Sequence, residues 1–169
     1  MNFHVVNIVV SGSLGKRIDL DELVRRGVIE YNPEYYHGGY LPLGNNIKAT
    51  IYRSGKYIIP GIKNLEDIDS LFETMKRKLS NYLDVDKITP PKIQNLVASG
   101  ELDLNDIHLD ELAMRIAGAE YNPEQFPGIV IKIPGAGTAL LFSTGRFVIA
   151  GAKSIDDVER IIKKLRMVV

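Results

Sequence analysis

The residues of this chain that could do acid–base or metal chemistry are few and poorly placed for it. Its three histidines, His4, His37 and His108, are scattered and show no metal-like spacing with carboxylates. Two groups of carboxylates open predicted helices: Asp19, Asp21 and Glu22, and Asp106, Asp110 and Glu111. Acids at the start of a helix stabilise it by interacting with the helix dipole. This explains the carboxylates better than a catalytic acid–base pair does. The chain has no cysteine, which excludes thiol nucleophiles and thiolate metal sites. We therefore expect no enzyme, no cofactor and no metal site.

Two further classes of function find no support in the sequence. The stretch PGAGTALLFSTG (134–145) superficially resembles a phosphate loop, but it lacks the Gly-Lys-Ser/Thr ending and lies between predicted strands. No apolar run approaches the ~20 residues of a membrane span. The first residues lack a basic leader, and the absence of cysteine fits a reducing interior. The sequence thus predicts a cytoplasmic protein without a membrane partner.

Positive charge is concentrated in two segments although the formal net charge is zero. Segments 35–63 and 125–153 contain cations and no acid. Their cations are Lys48, Arg53, Lys56 and Lys63, and Lys132, Arg146 and Lys153. Acids gather elsewhere, as in 100–124. Two interpretations stay open: either these segments face a polyanion, or the polar loops and helices simply collect acids.

The chain states one unusual phrase twice. EYNPE occurs at 30–34 and again at 120–124, and Gly55 and Gly145 share the same offset of 90 residues. Upstream, VVNIVVS (5–11) matches IQNLVAS (93–99) at an offset of 88. Because only two copies exist, a solenoid is not favoured. We predict two repeats, 1–88 and 89–169, related by a pseudo-two-fold axis.

Each predicted repeat has one order of elements: a strand, a short helix, several strands and a closing helix. The predicted ranges in the first repeat are strand 4–11, helix 19–27 and strands 28–32, 38–43, 47–53 and 56–60. Asn64 and Ser154 are candidate caps for the closing helices. The apolar stripes of these helices can cover one face of a continuous antiparallel sheet and leave the other face open.

Strand alternation indicates which residues face away from the helices. If Leu141, Phe147 and Ile149 pack under the helices, the opposite face is apolar with one amide. The residues of that face are Asn95, Val97, Leu140, Phe142, Val148 and Ala150. An exposed apolar sheet face marks a binding site, unless a second subunit or a further helix covers it.

The motifs YNPEQFPG, LLFSTGR, GAK and the paired NIVVS/NLVAS resemble the TATA-box-binding protein family of archaeal type. The resemblance covers essentially the whole chain and is strongest in the second repeat. It implies an α+β fold: a pseudo-two-fold saddle of two repeats, with a curved antiparallel sheet of ten strands and four helices on the convex side. It also implies a general transcription initiation factor that recognises and bends A·T-rich, TATA-box-like promoter DNA through the minor groove.

The resemblance assigns a role to individual residues. The aromatic wedges between base steps would be Phe126 and Phe142 in the second repeat, and Tyr36 and Tyr52 in the first. The residues that meet base edges would be Asn7 and Asn95, with apolar neighbours Val9, Val97, Ile58 and Val148. An apolar surface with a few amide donors suits A·T pairs, because G·C adds an amino donor to the minor groove. The cations suited to phosphates are Lys48, Arg53, Lys56, Lys132 and Arg146.

The first repeat departs from the family pattern. Tyr36-His37-Gly38 stands where the family has Phe-Pro-Gly, and tyrosine hydroxyls lose water if they are buried without a partner. Pro60 and Ala150 replace a base-contacting threonine, and 41–46 lacks the family's arginines. Fewer phosphate contacts imply weaker binding.

The resemblance also implies partners besides double-stranded DNA. A transcription factor B-like protein would dock on the loop that contains Glu124, and a homodimer of the free protein is left open. The alternative function is a protein-interaction module, or a paralogue without TATA specificity, that uses the same fold for another partner.

Overall fold

A computed structural model of the chain describes residues 2–169. It contains eight β-strands: β1 (Phe3–Ser13), β2 (Gly39–Gly44), β3 (Ile47–Ile51), β4 (Lys56–Ile62), β5 (Lys92–Glu101), β6 (Ile129–Ile133), β7 (Gly137–Leu141) and β8 (Arg146–Ala152). It contains four α-helices: α1 (Leu20–Arg25), α2 (Asp67–Leu79), α3 (Leu109–Arg115) and α4 (Ile155–Val168). A short 3₁₀ turn lies at Val85–Lys87. None of these helices is long and apolar enough to cross a bilayer.

The chain forms two compact units. The first unit is Ile8–Ile93, and the second combines the residues up to Asn7 with Gln94–Val169. In the first unit the hydrogen-bonded strand order is β2-β3-β4-β1, and in the second it is β5-β8-β7-β6. The pairings within each unit are antiparallel. The repeats 1–88 and 89–169 stay a prediction, since compactness divides the chain at other points.

One closing helix covers one sheet face in each unit. Helix α4 packs against β7 and β8, and α2 packs against β2. The apolar stripe of each helix is buried: Leu71, Phe72, Met75 and Leu79 on α2, and Val158, Ile161, Ile162 and Leu165 on α4. Leu141, Phe147 and Ile149 are buried on the strands of the second unit, as predicted. Burial of these apolar stripes is the main force that holds each helix on its sheet.

The two predicted helix caps have different outcomes. The Ser154 hydroxyl accepts a hydrogen bond from the Asp157 amide at 3.1 Å, which confirms it as the cap of α4. The prediction for Asn64 is wrong, because α2 begins later, after Glu66. Asn64 instead closes a turn ahead of the helix, since its carbonyl accepts from the Asp67 amide.

Eight strands replace the ten that were predicted. Segment 28–32 forms no strand and contributes one isolated bridge, Glu30 to Tyr40, while Glu120 to Val130 is its counterpart. The following Asn-Pro pair ends the pairing in both units, because proline has no amide hydrogen to donate to a ladder. Each bridge nevertheless closes the base of a loop, so the repeated EYNPE phrase builds a loop stem instead of a strand.

The stability of the first unit should depend on alkaline pH through Tyr57. Its side chain is fully buried, its hydroxyl donates to the Thr89 carbonyl at 2.7 Å, and burial raises its pKa from 10.0 to about 12. The fold favours the neutral form of Tyr57. Its contribution to the free energy of unfolding is therefore intact below pH 10 and falls as the pH rises toward 12. The loss approaches about 2–3 kcal/mol.

Urea unfolding between pH 9 and pH 12 measures this loss. Tyr57→Phe retains the ring and should make the decline shallower, at the cost of the bond to Thr89. An equally steep decline in the variant would contradict the assignment to Tyr57.

Candidate nucleic-acid interface

Strand register places one row of side chains across the uncovered face of each unit. In the first unit the row is Tyr40, Thr50, Ile58 and Ser11, which are successive cross-strand partners. In the second unit the equivalent row is Val130, Leu140, Val148 and Ser99. Cross-strand partners share a sheet face. The second-unit row is half-buried, whereas the neighbours Ala139, Leu141 and Ile149 are buried under the helix. This confirms the predicted face.

Phe126 and Phe142 form one aromatic pair on that face of the second unit. Their ring centroids are 5.6 Å apart in an edge-on arrangement, and Phe126 is 37% exposed. A turn aims the first ring, because the Asn122 carbonyl accepts hydrogen bonds from the amides of Gln125 and Phe126. A second turn aims the other ring, because the Phe142 carbonyl accepts from the Gly145 amide. The two turns thus bring together the two predicted wedges, which are sixteen positions apart in the sequence.

Tyr36 and Tyr52 form the corresponding pair in the first unit. Their rings are 6.1 Å apart and edge-on, and their hydroxyl oxygens lie 2.7 Å apart in a hydrogen bond. Tyr40 stacks on Tyr36, and the His37 ring lies 5.3 Å from that of Tyr52. Burial first, and then the bond from Tyr36, raises the pKa of Tyr52 to about 12. The Tyr36 and Tyr52 hydroxyls are therefore hydrogen-bond partners of each other. Neither hydroxyl incurs the free-energy cost of burial without a partner.

A glycine lies directly beneath each aromatic pair. A methyl group on Gly128 would come within 2.9 Å of Phe126 and 3.1 Å of Phe142. A methyl group on Gly38 would meet Tyr36 at 3.0 Å and Tyr52 at 3.1 Å. These positioning glycines were not among the predicted site residues. Their shared offset of 90 was the signal in the sequence, but a repeated glycine gives no indication of what packs on it.

The base-edge candidates also lie on uncovered strand faces. Asn7, Val9, Asn95, Val97, Ile58 and Val148 are all half-buried. The Asn95 Oδ1 atom accepts a hydrogen bond of 2.7 Å from the Gly151 amide. Gly151 lies beside a bulge in the β5–β8 pairing and has a φ of 78°, a conformation that favours glycine. This bond fixes the amide orientation and leaves the Nδ2 hydrogens without a partner among residues 2–169.

The predicted phosphate-binding cations divide into two groups. Lys48 pairs with Glu30 and Arg53 with Asp21, both at 3.3 Å. Arg53 also donates to the Tyr31 hydroxyl, and that bond raises the pKa of the guanidinium further. Lys56, Lys132 and Arg146 are exposed and form no ion pair with any residue between 2 and 169. Segment 35–63 contains no acid itself, but acids from outside it therefore neutralise part of its positive charge.

Two other residues complete the surface of the second unit. Glu124 is exposed in the turn that precedes Phe126. His4 lies with its Nε2 atom 3.2 Å from the Ser99 hydroxyl, at a hollow that Phe142 and Arg146 also line. Sequence reasoning did not place His4 at this site, since the contact depends on strand register. Residues 2–169 contain no cluster of three or more His, Asp or Glu side chains that could hold a metal ion.

Gly128→Ala should disturb the aromatic pair without preventing folding. The backbone of Gly128 is not among the positive-φ positions, so alanine is tolerated there and the added methyl acts on the two rings. We expect a stability loss of about 1–3 kcal/mol from overpacking, and displaced Phe126 and Phe142 resonances in a ring-proton NMR spectrum. Gly118→Ala is the control for the ring signals alone, because nothing lies within 4 Å of an added methyl there, although its φ of 79° makes that variant lose stability through backbone strain. Unshifted ring signals would contradict the role of Gly128.

Comparison with known proteins supports a single family. The sequence model described as "Transcription factor TFIID (or TATA-binding protein, TBP)" matches residues 2–82 and again 90–169. The TATA-box-binding protein of Pyrobaculum aerophilum is 35% identical over 168 residues, covering 97% of this chain and 84% of the relative. That of Methanocaldococcus jannaschii is 36% identical over 165 residues, covering 95% and 90%. TATA-box-binding protein C of Halobacterium salinarum is 37% identical over 170 residues, covering 94% and 92%.

The fold agrees with these relatives. The solved structure of Methanococcus jannaschii TBP superposes with a TM-score of 0.80 at 34% identity, covering 98% of this chain and 96% of that one. The predicted α+β fold and the resemblance are thereby confirmed, with eight strands in place of ten. The matching family comprises transcription factors, so the prediction that the chain is not an enzyme is also confirmed. The chain belongs to the TATA-box-binding protein family.

Proposed function

We propose that this chain is a general transcription initiation factor that binds A·T-rich promoter DNA in the minor groove and bends it. The observation that carries the proposal is the Phe126–Phe142 pair, held on Gly128 in a unit where the half-buried Asn95 has its amide oxygen fixed by Gly151. Rings that project from an apolar strand face can enter a base step. Burying them offsets the few kcal/mol that unstacking costs.

The neighbouring side chains suit the floor of an A·T minor groove. That floor offers only the adenine N3 and thymine O2 acceptors. In this proposal Asn7 and Asn95 donate to those acceptors. The aliphatic contacts come from Val9, Val97, Ile58 and Val148. Tyr36 and Tyr52 are the wedges of the first unit.

Phosphate contacts complete the proposed site. Lys56, Lys132 and Arg146 are exposed and free of ion pairs within residues 2–169, so they can neutralise phosphates without losing a partner. Lys48 and Arg53 have to exchange Glu30 and Asp21 for phosphates, which reduces their net gain. Binding should therefore be driven mainly by the wedges and by three cations.

Partner proteins follow from the same proposal. Glu124 is exposed on the turn before Phe126, where a basic surface of a transcription factor B-like protein could pair with it. A homodimer of the free protein would cover the apolar strand faces when no DNA is bound. The archaeal relatives support a cytoplasmic location at the nucleoid.

Selection of bound duplexes from a random pool at moderate salt tests the function. We expect an A·T-rich consensus about the length of a TATA box, and an affinity that falls steeply as salt rises, with a slope of about −0.9 for each phosphate contact. No enrichment, together with weak salt dependence, would overturn the proposal. That result would favour the protein-interaction module, because an apolar protein interface is not weakened by salt.

A further inference from the structure

The uncovered faces of the two units differ in chemistry at matched positions. Tyr40 and Thr50 in the first-unit row stand where Val130 and Leu140 stand in the second. Thr50 makes no side-chain hydrogen bond, yet no buried side-chain polar atom of residues 2–169 lacks a partner. The Thr50 hydroxyl therefore contacts solvent. The first-unit row contains three hydroxyls, of which only that of Tyr40 belongs to an exposed side chain because Ser11 and Thr50 are 7% and 8% exposed, and the second-unit row contains only that of Ser99.

The two aromatic pairs differ in the same way. Both pairs are edge-on and both rest on a glycine, so their shapes are closely similar. Tyr36 and Tyr52 add two hydroxyls that are bonded to each other at 2.7 Å. In such a pair one hydroxyl keeps a free hydrogen and both oxygens keep acceptor capacity. The phenylalanine pair of the second unit has neither.

Acceptor capacity matters in the minor groove at one kind of base pair. A G·C pair places the guanine amino donor there, whereas A·T offers acceptors only. Against phenylalanine, leucine and valine that amino group loses water and gains no partner, which is unfavourable. Against the tyrosine hydroxyls it has an acceptor, and an A·T pair finds a donor in the same hydroxyls.

We infer that the first unit is a permissive reader, which accepts a G·C pair in its half of the DNA site, while the second unit requires A·T. This inference rests on the proposed function and adds to it the specificity of each half. Tyr36 and Tyr52 are the specificity-determining residues, and Tyr40 and Thr50 support them. A promoter with G·C at one end would consequently be bound in one orientation.

Three duplexes test the inference by fluorescence-detected titration. The first contains only A·T pairs in a self-complementary site, the second has one G·C pair near one end, and the third has G·C pairs at both mirrored positions. The duplex with one G·C pair should bind less than about threefold more weakly than the all-A·T duplex, because the protein can bind in the orientation that places its tyrosine pair at the G·C pair. The duplex with two G·C pairs should bind about tenfold or more weakly than the duplex with one, because one G·C pair must then face Phe126 and Phe142.

Orientation can be read directly, because the chain has no cysteine. Glu34→Cys and Glu124→Cys are exposed, equivalent positions at which a DNA-cleaving iron chelate can be attached. On the duplex with one G·C pair, the label at position 34 should cut near that pair and the label at position 124 near the opposite end. Equal cutting at both ends would contradict the inference.

Reciprocal variants assign the effect to the hydroxyls. Tyr36→Phe with Tyr52→Phe keeps both rings, and the first G·C pair should then cost about tenfold. Phe126→Tyr with Phe142→Tyr should make the second G·C pair tolerable, and thermal melting checks that both variants fold. Equal costs for both G·C pairs in the native chain, or no change in either variant, would overturn the inference. Failure to bind the all-A·T duplex would instead overturn the proposed function.

Discussion

Replacing Phe126 and Phe142 together by alanine should abolish DNA bending and leave the fold intact. Phe126 is 37% exposed and Phe142 half-buried, and both project from the face that helix α4 does not cover. Stacking of a base on an aromatic ring is worth about 1–3 kcal/mol, so loss of two rings should cost about 2–6 kcal/mol of binding free energy. Energy transfer between dyes at the two ends of a duplex reports bending, and titration reports affinity.

Tyr35→Ala is the matched control for the double variant. Tyr35 precedes Tyr36 and is 87% exposed, yet it belongs to neither aromatic pair. Its removal should change the affinity little. If the double phenylalanine variant unfolded, the rings would be core residues. If it bent DNA normally, they would not be wedges.

The second large effect is on stability, at Gly55. Its φ is 91°, and a Cβ atom there would overlap the carbonyl oxygen of Lys16. Gly55→Ala should lose about 1–3 kcal/mol to the strained backbone, and a further amount of about 1–3 kcal/mol to the overlap. The Gly55 amide donates to the Tyr52 carbonyl, so the same change should also disturb one tyrosine wedge.

Gly44→Ala separates the two contributions to this loss. Gly44 has a φ of 96°, but nothing lies within 4 Å of an added Cβ atom, so only the backbone strain remains. Urea unfolding of both variants gives the two free energies. Equal losses would mean that the loop at Lys16 yields freely and that the close approach contributes nothing.

The architecture could be derived from local patterns. The offset of 90 residues predicted two repeats, and period-two alternation assigned Leu141, Phe147 and Ile149 to the covered face. The Ser-Gly and Thr-Gly turns placed one aromatic side chain at the start of each hairpin turn. The alternation and the turns depend on neighbouring residues only. The prediction of two additional strands was wrong. A segment that forms one isolated bridge before a proline has the same sequence pattern as a short strand.

What the sequence by itself determined is therefore the repeat, the helix stripes and the face on which each candidate side chain lies. The tertiary structure alone decided which groups touch: the Tyr36–Tyr52 hydroxyl pair, the Asn95 bond to Gly151 across a bulge, and the pairing of Arg53 with Asp21. The physical reason is range. Alternation and turn propensity act over a few residues, whereas these contacts depend on strand register and loop paths that join residues 16 to 56 positions apart.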